Sequence, residues 1–176
     1  MRTGAFAAVL LLSLAVLQPV RSQPRVALTG TVVAVNQQSD TVTLIDLRTM
    51  EAYRHVPVVA APHEAAVSPD GRRVLITNYN RQNVGPQKTL SLIALPSGDT
   101  LKTIDLGEYR APHDVRWVDD SRVVVTAEAS QALLLVNVET GATERVFKTD
   151  AGVSHMLALS TDRTRLYCSN MRDGSV

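Results

Sequence analysis

Cysteine and aromatic residues are scarce in this chain. It has one cysteine, Cys168, and only 4% of its 176 residues are Phe, Trp or Tyr. A secreted domain that depends on disulfides has several cysteines, so a disulfide scaffold is excluded and stability must come from buried apolar surface. Cys168 lies in an apolar segment with no histidine beside it in the sequence, which predicts a buried thiol that is not a nucleophile.

The chain also lacks a basic segment and the short motifs of common enzyme classes. Its net charge is +1, and Arg72-Arg73, the nearest approach to a basic patch, falls in a predicted turn. Nucleic-acid binding is therefore not indicated. G-x-S-x-G, a Gly-rich phosphate loop and Cys-x-x-Cys-His are all absent from the sequence. These absences favour a chain that is not itself an enzyme.

One long hydrophobic run is present, over residues 5–17. Arg2 precedes it, Pro19 follows it, and Val20-Arg21-Ser22 has the small or compact residues of a cleavage site. This order predicts a secretory signal peptide over residues 1–22, because a membrane span needs roughly 20 apolar residues. The alternative is a retained anchor, which the early Pro and Arg disfavour. No cysteine stands near the cleavage site for lipid attachment, so we expect a periplasmic or secreted protein.

Residues 23–176 contain three copies of one pattern. Each copy has His in second place, then a short apolar run, an Asp-containing turn, and an apolar run that reaches Thr or Ser. The copies are PHEAAVSPDGRRVLITNYN, PHDVRWVDDSRVVVTAEA and SHMLALSTDRTRLYCSNM. Intervals of 50 and 42 residues separate His63, His113 and His155. Periods in the forties with four short β-runs each predict the blades of a β-propeller.

The number of β-runs predicts an incomplete ring. Three predicted strands, over residues 31–37, 41–47 and 52–58, precede the first His-led strand. Two four-stranded units follow, and two further strands end the chain. We therefore expect an all-β fold of about three to four antiparallel blades, as the front part of a longer protein. An open arc leaves terminal blade faces uncovered, so we also expect the chain alone to self-associate.

Several segments resemble the YVTN-type repeat of surface-layer and lactonase-like β-propellers. LITN at 75–78, VVTA at 124–127 and YCSN at 167–170 are similar to its signature, with Ala127 in place of Asn in the second copy. The resemblance covers residues 31–170 and implies a propeller, commonly of seven blades. It implies no single activity, because related propellers range from surface-layer modules to lactonase-like and haem-carrying proteins.

The repeated histidines are the first candidate site. His63, His113 and His155 stand at the start of the predicted innermost strands, near one mouth of the central channel. Three imidazoles there could hold a metal ion, or accept a haem or an anionic ligand. The alternative, which the repeat itself favours, is a structural histidine that makes the same hydrogen bond in every blade.

Charged residues beside the histidines complete the candidate ligand-binding set. Glu64 and Asp114 directly follow two of the histidines. Arg116 stands where the matching positions hold Ala66 and Ala158. An arginine at this position could bind a carboxylate or phosphate at the channel mouth, or could simply extend to the rim.

Two functions fit these observations. The first is an exported binding or scaffolding propeller that presents its loops and channel mouth to a ligand or a protein partner. The alternative is a lactonase-like hydrolase, or a haem- or metal-dependent redox propeller, whose key residues lie in further blades. The residues favour the first, because the enzyme interpretation rests on the resemblance alone.

Overall fold

The computed structural model describes residues 27–176, so the predicted signal peptide lies outside the described residues. These residues form β-strands joined by turns and loops, with one 3-10 helix, η1, over Glu128–Ser130. The strands are β1 (Thr31–Asn36), β2 (Thr41–Asp46), β3 (Glu51–Pro57), β4 (Pro62–Val67), β5 (Arg73–Asn78), β6 (Thr89–Ala94), β7 (Thr100–Asp105), β8 (Pro112–Trp117), β9 (Arg122–Ala127), β10 (Ala132–Asn137), β11 (Thr143–Lys148), β12 (Ser154–Leu159) and β13 (Leu166–Asn170). Among residues 27–176, no helix is long and apolar enough to cross a membrane.

The strands form four antiparallel sheets that follow one another along the chain. A three-stranded sheet, β1-β2-β3, comes first. Two four-stranded sheets follow, β4-β5-β6-β7 and β8-β9-β10-β11, and β12-β13 forms a two-stranded sheet. Neighbouring sheets contact each other through β4, β8 and β12, the strands whose second residues are the repeated histidines. This arrangement confirms the prediction of propeller blades in a ring that does not close.

The turns after β4 and β12 share side-chain chemistry that the sequence indicates. Asp70 and Asp162 each accept a hydrogen bond, at 2.6 Å, from a serine hydroxyl two residues earlier. The residue after each aspartate, Gly71 or Arg163, has a left-handed φ, of 71° and 57° respectively. Glycine adopts this conformation without strain, whereas an arginine there costs about 1 kcal/mol or more.

The core consists of three apolar layers, each between two adjacent sheets. Alternate residues of one strand face opposite layers: Leu75 packs toward the third sheet, and Val74 and Ile76 pack toward the first. A third layer joins the last two sheets through Val124 and Leu157, among others. A blade therefore buries both faces, and this packing sets the relative positions of the inner strands.

Candidate functional site

The three repeated histidines lie together at one end of the inner strands. The ring centroids of His63 and His113 are 4.3 Å apart, and those of His113 and His155 are 3.9 Å apart. Each histidine is the second residue of its strand, and the packing of successive sheets brings the three strand starts side by side. Residues separated by 92 positions in the chain thus form one row of imidazoles.

A break in strand register follows each histidine. In β4, β8 and β12 the pairing with the next strand shifts between the first residue and the fourth. A hydroxyl from the partner strand fills the break: Thr77 Oγ1 accepts the Glu64 N–H at 3.0 Å, and Thr126 Oγ1 accepts the Asp114 N–H at 2.8 Å. The Thr of the repeat signature therefore has a structural function in its own blade.

The same hydroxyls tie successive blades together through the backbone of the histidines. Thr77 donates to the His113 carbonyl oxygen at 2.8 Å, and Thr126 donates to the His155 carbonyl oxygen at 3.1 Å. Any residue has a backbone carbonyl, so this repeated contact does not require an imidazole. Main-chain atoms therefore make the hydrogen bond that repeats between blades, and the imidazole side chains take no part in it.

Two of the imidazoles present buried nitrogen atoms without hydrogen-bond partners. Nδ1 of His63 and Nδ1 of His113 are buried, and neither has a partner among residues 27–176. The Glu64 carboxylate is the nearest acid to His63 Nδ1, at 3.6 Å, which is too long for a hydrogen bond. An unsatisfied buried polar group costs about 1–3 kcal/mol. Two such atoms in adjacent rings make this a candidate position for a bound water, ion or ligand.

His113 is the most buried of the three, with 4% of its surface exposed. Burial lowers its pKa to about 4, Glu128 opposes this shift, and His63 and His155 add to it. The ring is therefore neutral near pH 7 and keeps a nitrogen lone pair available to a ligand.

Glu128 forms a hydrogen bond with His155, the last histidine of the row. It is 7% exposed, and its Oε1 lies 2.5 Å from Nδ1 of His155. Its Oε2 accepts a hydrogen bond from the Tyr79 hydroxyl. Burial and this bond raise the pKa of Tyr79 above its usual range, so the phenol stays protonated. The Tyr79 ring packs edge-on against His63 and His113, with centroid distances of 4.9 Å.

Sequence reasoning did not find Glu128 and did not assign Tyr79 to the histidines. Both residues occupy the same repeat position, two residues after Thr126 and Thr77 respectively. The second strand of each hairpin is antiparallel to the first, so it ends where the histidine-led strand begins. Tyr79 and Glu128 directly follow the signature segments at 75–78 and 124–127, and this shared position could have identified them from the sequence.

Within residues 27–176, two overlapping sets of side chains could hold a metal ion. One is His63, Glu64 and His113, and the other is His113, Glu128 and His155; in each set the ligand atoms lie within 4.8 Å of one another. In the second set both carboxylate oxygens of Glu128 and the Nδ1 of His155 already have partners. The first set contains both unpaired nitrogen atoms, on His63 and His113, whereas the second contains only that of His113, so the first set fits a metal better.

The remaining predicted residues, Asp114 and Arg116, do not join the histidine cluster. Asp114 is fully buried, and its carboxylate accepts the N–H groups of Val115 and Leu157, each at 2.7 Å. Arg116 lies 3.0 Å from the same carboxylate, toward the far end of β8. Asp114 thus joins two sheets and is not free to bind a ligand.

An open cavity of about 330 Å³ adjoins the cluster. Tyr79 and Glu128 line it and also contact the histidines, while Ala111, Val153 and Arg172 form other parts of its wall. Cys168 does not line this cavity; it is partly buried rather than buried as predicted, and burial raises the pKa of its thiol.

Comparison with known proteins bears on the fold. No protein-family model and no curated protein sequence matches the chain. A solved structure of Kuenenia stuttgartiensis hydrazine synthase is similar, with a TM-score of 0.67 and 22% sequence identity. The similarity covers 78% of this chain and 38% of that one, so the chain spans well under half the length of the matched structure. At this identity the likeness supports the propeller-like fold alone.

Proposed function

We propose that this chain is an exported β-propeller module of the YVTN type that binds a divalent transition-metal ion at the histidine cluster. The observation that supports this most directly is the pair of buried Nδ1 atoms without partners on His63 and His113. A metal ion bound to both would satisfy two polar groups that otherwise destabilise the fold.

The donor set selects the class of metal. Imidazole nitrogen is a common ligand of Zn²⁺, Cu²⁺ and Ni²⁺, whereas Mg²⁺ and Ca²⁺ prefer sites made of oxygen atoms. The half-buried Glu64 carboxylate supplies a third ligand and the negative charge that offsets the charge of the ion. The depressed pKa of His113 keeps its nitrogen unprotonated, so proton competition at that ring is weak near neutral pH.

The surrounding residues support a binding function beyond the metal alone. Three protein ligands leave a coordination position open, as in zinc sites that accept water or a substrate. Tyr79 lies against His63 and His113 and also lines the 330 Å³ cavity, so a molecule in this cavity would lie beside the metal. The module would therefore present a metal ion to a small ligand at one mouth of the channel.

Calorimetric titration with Zn²⁺, Cu²⁺ and Ni²⁺ tests the proposal. We expect the wild-type chain to bind one ion, and His63→Gln or His113→Gln to weaken binding at least about tenfold. His55 provides the matched control, because it lies in β3 and bonds Thr43 at 3.0 Å, away from the cluster. His55→Gln should bind as the wild type does. Equal affinity in all four proteins, or no binding in any, would refute the proposal.

Export is the part of the proposal that rests on residues 1–22. Protein recovered from the periplasm or the medium should begin at or close to Gln23 on N-terminal sequencing. Recovery of exported protein that still begins with Met1 would contradict it.

A further inference from the structure

A second cavity lies at the opposite end of the inner strands from the histidines. The strands β4, β8 and β12 begin at the histidine cluster and end beside this cavity of about 420 Å³. Its apolar wall and its charged residues come from three sheets. They include Ala66, Val67, Arg116, Trp117, Leu159 and Arg163. Both charged residues that line it are arginines, and no acidic residue of the described chain lines it.

Arg116 is held in place by groups that leave part of its guanidinium free. Its Nη1 lies 3.0 Å from the Asp114 carboxylate and donates to the Val115 carbonyl oxygen at 3.2 Å, and its Nε donates to the Leu157 carbonyl oxygen at 3.3 Å. Its Nη2 has no partner within residues 27–176. The equivalent positions in the other two copies hold alanine, so the repeat itself does not require an arginine here.

Arg163, in the turn between β12 and β13, is also held by a backbone carbonyl oxygen while part of its guanidinium is free. Its Nη1 donates to the Val118 carbonyl oxygen at 2.7 Å, while its Nε and Nη2 have no partner in the described part of the chain. Its backbone is left-handed, at the turn position that glycine occupies in the second sheet. Seven other non-glycine residues of the described chain also have a left-handed φ, so it is the position of its side chain in the cavity, not its backbone, that distinguishes Arg163.

We propose that this cavity binds a small oxyanion, a carboxylate or phosphate group, through Arg116 and Arg163. Arginine presents a planar set of N–H donors that matches both groups, and a side chain already held in place loses little freedom on binding. The apolar wall formed by Ala66, Trp117 and Leu159 would contact the remainder of the ligand. This site is separate from the metal site and does not depend on it.

Trp117 makes the proposal directly testable, because it lines the cavity and is the one tryptophan of the chain. The probes are inorganic phosphate and malonate, each titrated at constant ionic strength maintained with sodium chloride so that general screening is unchanged. We expect a saturable change in tryptophan fluorescence, with a matching heat signal by calorimetry. Saturation with either anion supports the site, and the tighter binder identifies the preferred group.

Two variants and one control distinguish a site from a general effect of positive charge. Arg163→Asn removes the charge with a residue that tolerates left-handed backbone, and Arg116→Lys retains a positive charge beside Asp114 without the planar fork. Each should weaken binding at least about tenfold, since each loses charge-assisted hydrogen bonds. Arg165→Asn makes the same charge change two residues away, outside this cavity, and should bind as the wild type does. Absence of saturation with both anions, or equal weakening by Arg163→Asn and Arg165→Asn, would overturn the proposal.

Discussion

Glu64 and Glu128 are adjacent to the same row of histidines but have different partners. Glu64 is half-exposed and has no hydrogen bond from a histidine ring, whereas Glu128 is nearly buried and bonds both His155 and Tyr79. In the proposed metal site Glu64 is a ligand, and Glu128 holds the supporting residues. The two carboxylates should therefore respond differently to neutralisation.

Replacement of each glutamate by glutamine tests this difference. Glu64→Gln should weaken metal binding at least about tenfold with little change in the free energy of unfolding, since an amide is a poorer ligand than a carboxylate. Glu128→Gln should lower the free energy of unfolding by about 1–3 kcal/mol while still binding one ion, because it removes charge-assisted hydrogen bonds from a buried group. Calorimetric titration and urea denaturation of both variants give the two quantities. Loss of binding in Glu128→Gln alone would instead place the metal in the second set of side chains.

The depressed pKa of His113 predicts a loss of stability in acid. In the unfolded chain this ring titrates near 6.5, and in the folded protein burial, opposed by Glu128 and assisted by His63 and His155, lowers the pKa to about 4. Between these values the unfolded state binds more protons, so the folded state becomes less stable as the pH falls from 6.5 toward 4. The full effect is at most about 3 kcal/mol, and it is absent above the unfolded pKa.

Urea denaturation from pH 7.5 to pH 4.5, without metal, measures this effect. The wild type should lose more stability over the range than His113→Gln, whose side chain does not titrate. His55→Gln, which changes an exposed histidine in β3, should follow the wild type. Parallel pH profiles for the wild type and His113→Gln would show that His113 does not titrate as described.

Between strands of neighbouring blades, the hydrogen bonds of the threonine hydroxyls should contribute measurably to the free energy of unfolding. Thr77 is fully buried and bonds the Glu64 N–H and the His113 carbonyl oxygen. Thr77→Val has nearly the same shape but leaves both groups without this partner, so it should lower the free energy of unfolding by about 1–3 kcal/mol. Thr103→Val, in the exposed strand β7, is the control and should change it by less than about 0.5 kcal/mol. Equal effects would mean that the tie contributes no stability.

At the scale of the whole molecule, the outer sheets leave apolar side chains exposed. Met156 and Tyr167, on β12 and β13, are 37% and 46% exposed, and their neighbour Leu157 is buried against the third sheet. A blade inside a propeller buries both faces, whereas this outer face is exposed and available to contact another molecule. We therefore expect the isolated chain to self-associate at micromolar concentrations, as the order of β-runs in the sequence also indicates.

Sedimentation velocity over a range of protein concentrations measures the association. Tyr167→Thr should shift the equilibrium toward monomer, because it removes an aromatic side chain from the uncovered face but keeps a good strand former. Leu101→Thr, on the outer strand β7 of a complete sheet, removes a similarly exposed apolar residue and should leave the association unchanged. A wild-type chain that remains monomeric throughout would refute the expectation.

Local features of the sequence determined the strands, the turns and the position of each histidine. Alternating β-branched and aliphatic residues, punctuated by Asp- and Gly-containing turns, predict β1, β2 and β3 to within about one residue, because strand and turn formation depends on near neighbours. The repeat likewise placed His63, His113 and His155 at equivalent strand starts. These properties do not depend on how one sheet packs on the next.

Which side chains meet depends on how the sheets pack. The hydrogen bonds of Glu128 to Tyr79 and His155 cross from one sheet to another, and so does the approach of Arg163 to the cavity that Arg116 lines. Such contacts depend on the angle between sheets, which the side chains of the apolar layers set together. For the same reason Asp114, a candidate ligand by sequence, forms a buried tie between β8 and β12, because packing brings the Leu157 N–H to its carboxylate.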